Sequence, residues 1–269
     1  LKSGTVNYRK EDQFMGTTQR TTPWLVTKPQ ESAILRLFCL PYAGGAAAAF
    51  RSWSKLLPNA VELCPVQLPG RGGLMSEKPF VRMRPLVEAA ARELGPYFDK
   101  PFAFFGHSMG AVISFELARH LRRESKPGPA HLFVSGRRPP QSPREIAPSY
   151  NLPEPEFIQV LHELGGTPKE VLEHQELMSV VLPLLRADFE LIQTYSYIEG
   201  SPLSCPITAY GGLQDPEVSQ EELKGWGQQT TAQFSMRMLP GDHFFLHSAQ
   251  NVLLNLLARE LQQIVSLLK

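Results

Sequence analysis

The chain has 269 residues, 42% hydrophobic and 20% charged, with a mean hydropathy of −0.18, the balance of a folded, water-soluble protein and not of a disordered or membrane-embedded one. Its 27 Lys plus Arg against 26 Asp plus Glu leave a formal charge of +1, so no overall field selects nucleic acid or an anionic membrane as a partner. Cys39, Cys64 and Cys205 form no CxxC pair and lie in or beside apolar runs; with no secretory pattern and no apolar run of about 18 residues, this predicts reduced thiols in a cytoplasmic protein.

Residues 1–32 are polar and aperiodic. They are read as an N-terminal extension outside the fold, with Met15 a candidate native start. The first predicted strand covers 34–40 and stops at "PYAGG"; the second, "VELCPVQL", stops at "PGRGG". A helix is predicted over 84–97, where apolar residues recur at three- and four-residue steps. The strand "PFAFFGH" and the helix 109–123 follow, then the strand "AHLFVSG" ending at "RRPPQSP". Strands alternating with helices predict an α/β fold with a mostly parallel sheet covered on both faces.

The alternation breaks over 139–202, where prolines and helical patterns such as "PEFIQVLHELGGTP" and "LMSVVLPLLRADFELIQTYSY" replace strands. This segment is read as an inserted helical subdomain. The strand "PITAYGG", a helical "SQEELKGWGQQ", the strand "QFSMRML" and a last helix over 249–268 complete the chain. The core is thus expected from 33–138 and 203–269.

Gly106-His107-Ser108-Met109-Gly110 fits the GxSxG nucleophile elbow, and the apolar strand before it and amphipathic helix after it are the context that motif requires. A serine hydroxyl needs a base, and the base needs a carboxylate to hold its tautomer. Folds carrying this elbow place Ser, then Asp or Glu, then His along the chain. Of seven histidines, His107 adjoins the nucleophile and is expected to point elsewhere; His120, His131, His162 and His174 lie near helices or precede the proposed carboxylate. His243, on the loop after the last strand, is the predicted base, with His247 as the fallback. Asp215, on the loop after "ITAY", is the predicted carboxylate; Glu217 is the runner-up, and Asp242 is read as a turn residue. The backbone N–H of Met109 and that of Ala43, on the "PYAGG" loop, are the predicted oxyanion donors.

Together "LPYAGG", "LPGR", "FAFFGHSMGA", "LGGTP", "LPLLRADF" and "GDHFFL" make the chain resemble the standalone type II thioesterases of polyketide, nonribosomal peptide and fatty acid synthesis, from about residue 37 to 246. The resemblance implies an α/β-hydrolase core with a mobile helical lid over 139–202. It also implies hydrolysis of acyl thioesters on the phosphopantetheine arm of carrier proteins, the triad Ser108, Asp215 and His243, and oxyanion donors Ala43 and Met109. No metal or cofactor is implied, since phosphopantetheine arrives with the substrate. The implied partner is an acyl or peptidyl carrier protein, and the chain itself is expected to be a monomer. Two positions depart from the family: Gly72 stands where an acidic residue is usual, and Asp242 where glycine is common.

Tyr42 is expected to contact substrate, and Leu184, Leu185 and Phe189 to line an acyl pocket from one helix face. Arg137, Arg138 and Arg186 are candidates for docking an acidic carrier protein. Rival readings are a general esterase, lipase or peptidase, a macrocyclising thioesterase domain, and a scaffold that binds without turnover.

Overall fold

The computed structural model describes residues 22–26, 30–142 and 147–269. Six strands, β1 (Leu35–Leu40), β2 (Val61–Pro65), β3 (Phe102–His107), β4 (His131–Ser135), β5 (Ile207–Gly212) and β6 (Phe234–Leu239), form one sheet in the order β2-β1-β3-β4-β5-β6, with every pairing parallel. Every residue of β1, β2, β3 and β5 is buried. That explains why these strands read as unbroken apolar runs: helices cover both faces.

The two-residue side-chain period sorts the core into two layers. Phe38, Leu40, Phe102 and Phe104 pack on one face, against α1 (Met83–Leu94) and α2 (Met109–Arg123). Leu37, Cys39, Ala103 and Phe105 pack on the other, against a C-terminal helix. In α1 the residues Met83, Leu86, Val87, Ala90 and Leu94 are buried, the stripe that a 3.6-residue period aims at a sheet. Cys39 and Cys64 belong to opposite layers and remain free thiols, as does Cys205. Burial pushes the first two well up and Cys205 to about 11.

Between β4 and β5 lie α3 (Glu154–Leu164), α4 (Lys169–Leu172) and α5 (Gln175–Gln193), with a small core of their own around Phe157, Leu161, Met178, Leu182 and Leu185. After β5 come α6 (Gln220–Lys224), α7 (Phe245–Ser248) and the C-terminal helix α8 (Gln250–Leu267), whose Leu253, Leu254, Leu257, Leu261 and Val265 are buried. Among the described residues no helix is long and apolar enough to cross a membrane.

The reading of 1–32 as lying outside the fold needs correction for its described part. Trp24 is 4% exposed and packs in the first layer, Leu25 bridges Val66, and Thr22 Oγ1 donates to Glu93 at 3.0 Å. One large aromatic side chain outweighs a polar neighbourhood, because burying it removes so much apolar surface from water. Residues 1–21 and 27–29, Met15 among them, lie outside the described residues.

Candidate active site

Ser108 sits between the end of β3 and the start of α2 with φ +52 and ψ −110, and only one other described non-glycine residue, Ser125, has positive φ. Such a conformation is strained and is kept only where surroundings over-determine it. Here they do. A Cβ at Gly106 would strike the backbone of Gly110, and a Cβ at Gly110 would strike the carbonyl of Leu40 on the neighbouring strand. The two glycines let the turn close against β1, and Ser108 N–H donates to Ser135 C=O at 2.8 Å to hold it.

Asp215 leaves β5 on the loop predicted for it. Its side chain is wholly buried; Oδ1 accepts from the N–H groups of Glu217 (2.8 Å) and Val218 (3.2 Å), and Oδ2 lies 2.9 Å from His243 Nδ1. With Nδ1 facing a carboxylate oxygen, the tautomer that donates from Nδ1 leaves Nε2 as an acceptor on the cavity side of the ring. Gln214 joins the two loops: its N–H donates to Gly241 C=O at 2.9 Å, and its Oε1 accepts from Gly241 N–H at 2.6 Å.

The alternatives settle elsewhere. Glu217 donates its N–H to Asp215 and does not bond His243 among the described contacts. Asp242 accepts from Phe244 N–H at 2.8 Å, the turn role expected of it. His247 lies on α7 with Nε2 2.9 Å from Tyr42 Oη. His107 is not the base, yet it is no bystander. Its buried ring stands 5.2 Å from that of His243, with Nδ1 2.9 Å from Ser135 Oγ. Burial, then the charge of His243 and His247 nearby, hold its pKa well below the usual imidazole range.

Ser108, His243, Met109, Ala43 and Tyr42 all line one cavity of about 840 Å³, roofed by residues of the insertion. Met109 is the first residue of α2, so its N–H has no partner within the helix and is free to serve another acceptor. Leu185 and Phe189 line this cavity. Leu184 does not: it packs toward Gly70, whose added Cβ would stand 3.2 Å from Leu184 Cδ1. Adjacent helix positions are about 100° apart, so Leu184 cannot share the face that Leu185 and Phe189 occupy one turn apart.

The three arginines do not form an outer docking patch. Arg138 is 8% exposed, Arg137 is partly buried, and both line the cavity. Burial and then Arg138 push Arg137 down to about 10, still protonated at neutral pH. Arg186 donates to Tyr150 C=O at 2.6 Å and lies over the Phe157 ring. Gly72 is explained by its backbone: φ is +53, and a Cβ would come 2.7 Å from Gln67 Oε1, so the loop as built disfavours an acidic side chain.

Two of the motifs that carry the family resemblance meet here, a contact that neither motif announces. Arg71, from "PGRGG", and Asp188, from "LPLLRADF", form a buried two-pronged ion pair, with Nη2–Oδ1 2.7 Å and Nη1–Oδ2 2.8 Å.

Residues 35–261 match the family described as thioesterase domain. The chain belongs to the thioesterase family. The gramicidin S biosynthesis protein GrsT of Aneurinibacillus migulanus is 46% identical over 90% of this chain and 95% of its own length. The medium-chain S-acyl fatty acid synthase thioesterase of Rattus norvegicus is 35% identical over 81% of this chain and 84% of its own. Among solved structures, the RedJ thioesterase of the prodiginine biosynthetic pathway in Streptomyces coelicolor superposes with a TM-score of 0.80 at 40% identity, covering 85% of this chain and 91% of that one. This thioesterase therefore has the α/β-hydrolase architecture, and its strained serine turn is where enzymes of the serine-hydrolase type carry the nucleophile.

Proposed function

We propose that this thioesterase hydrolyses acyl thioesters from the phosphopantetheine arm of acyl or peptidyl carrier proteins, releasing stalled or aberrant acyl groups, with Ser108 as nucleophile, His243 as base and Asp215 as its orienting carboxylate. The observation that carries the reading is the 2.9 Å Asp215–His243 pair opening, with strained Ser108, onto one cavity. The relatives' names, which place them in gramicidin S and prodiginine biosynthesis, support the substrate class.

In this mechanism His243 Nε2 takes the Ser108 proton as Oγ attacks the thioester carbonyl. The N–H groups of Met109 and Ala43 stabilise the oxyanion. Collapse of the tetrahedral intermediate breaks the C–S bond, and the pantetheine thiolate leaves with the proton from His243. Water, deprotonated by His243, then attacks the acyl-enzyme; collapse breaks the ester C–O bond, His243 returns the proton to Ser108 Oγ, and the carboxylic acid leaves.

The test compares turnover of an acyl-carrier protein, the matching acyl cysteamine and an oxygen ester across acyl chain lengths, in wild type and Ser108→Ala. Preference for the carrier-bound thioester, abolished by Ser108→Ala, is expected. Equal turnover of the oxygen ester would favour a general esterase, and cyclised product a macrocyclising enzyme.

A further inference from the structure

The loop that carries Ala43 is held by the insertion. Gly44, at φ +75, donates its N–H to Asp188 Oδ2 at 2.7 Å. Arg71 Nη1 bridges the same oxygen (2.8 Å) and the carbonyl of Gly45 (3.0 Å). Gly45 N–H in turn donates to Tyr42 C=O at 2.9 Å. That carbonyl belongs to the peptide unit whose other end is the Ala43 N–H. The unit bearing the donor is thus fixed by a turn bond on one side, and the next unit is fixed by Asp188 on the other. Ala43 N–H cannot rotate without breaking one of them.

Asp188 lies 117 residues from Arg71 and 144 from Gly44, on the helix α5 that also supplies Leu185 and Phe189 to the cavity. A Cβ on Gly44 would stand 2.6 Å from Leu185 Cδ2, so helix and loop also touch directly there. Both charged side chains are nearly closed to solvent, at 5% and 3% exposure, where their bonds are least weakened by water.

We propose that Asp188 is a positioning residue for the oxyanion hole: by accepting Gly44 N–H it aims the Ala43 N–H into the cavity, so that the donor is aligned only while α5 is seated on the core. Arg71 holds the carboxylate in the orientation this needs. The inference rests on the reading of Ala43 as an oxyanion donor in a serine thioesterase.

Removing one member of a buried pair would strand the other charge, so the test removes both. Arg71→Met/Asp188→Leu has no acceptor for Gly44 N–H; Arg71→Met/Asp188→Asn keeps an amide oxygen there. Three readouts are taken from chains of verified fold: kcat and KM for an acyl cysteamine, inhibition by an acyl trifluoromethyl ketone that forms a tetrahedral anion on Ser108, and the Gly44 amide resonance of 15N-labelled protein. The Leu variant is expected to lose about 100-fold in kcat and in inhibitor affinity, with KM changed by less than about twofold. Its Gly44 amide should shift upfield and exchange faster. The Asn variant should recover most of kcat, inhibitor affinity and the amide position.

Equal loss in both variants would mean that packing, not the acceptor, matters, and wild-type kcat in the Leu variant would mean that the loop holds itself; either overturns the proposal. A wild-type chain that neither turns over the thioester nor reacts at Ser108 with a serine-directed phosphonate overturns the functional reading and this proposal with it. That outcome is recognised by the inactive parent.

Discussion

The rings of His107 and His243 stand 5.2 Å apart, yet only His243 is bonded to a carboxylate; His107 has Ser135 Oγ for a partner. Its imidazole is wholly buried and its pKa is lowered. A neutral ring packed on His243 limits that ring's orientation without adding a fixed charge beside the proposed base.

This burial makes stability depend on pH. His107 is held well below the ordinary value of 6.5, and His131, beside Thr208, is lowered by burial to about 4. The unfolded chain protonates both near 6.5, so it binds more protons than the folded one in the window below that value. Their contribution is fully present above pH 6.5 and is lost as pH falls toward the folded values, at up to about 1.4 kcal/mol per pH unit for each ring. Tm should therefore fall between pH 6.5 and 4. Thermal melts of His131→Gln should show a shallower fall, and an unchanged slope would contradict the assignment.

Asp215→Asn should lower kcat by about 10⁴-fold with the fold intact, because an amide that still accepts from Glu217 N–H would present its NH2 to His243 Nδ1 and select the wrong tautomer. Asp242→Asn keeps the acceptor for Phe244 N–H and should change kcat by less than about threefold, as expected of a turn residue. Steady-state kinetics with a small acyl thioester and circular dichroism of each variant decide the matter.

Gly72→Glu, which installs the acidic residue usual in the family, should destabilise this chain by about 1–2 kcal/mol, because a side chain there adopts φ +53 and meets Gln67. Denaturant titration gives the value. A gain in stability from this substitution would show that the loop can rearrange to suit the family residue.

Phe189→Ala should enlarge the cavity and raise the long-over-short acyl ratio of kcat/KM by about 10-fold, the worth of roughly one methylene or more in an apolar pocket. Leu184→Ala, on the neighbouring face against Gly70, should cost stability and leave the ratio alone. A chain-length series with both variants separates the two faces of α5, and a shift in Leu184→Ala would show that this residue too reaches the acyl chain.

Much of this protein was legible locally. Strand and helix periods, set by backbone geometry, marked all six strands and the long helices, and the steric demands of a strand-to-helix turn marked Ser108 with Gly106 and Gly110. The order of the loops then pointed to Asp215 and His243, since each follows a strand of one parallel sheet and emerges at its carboxyl end. The positions that escaped are those whose role depends on what docks against them. Trp24 joins the core from a polar segment, Leu184 and Leu185 part company by a rotation of about 100°, and Arg137 and Arg138 face inward because the insertion covers them. Asp188 meets Arg71 and Gly44 only after α5 settles on the sheet. A contact between charges more than a hundred residues apart leaves no periodic trace in the chain, because it is set by tertiary packing and not by the local backbone.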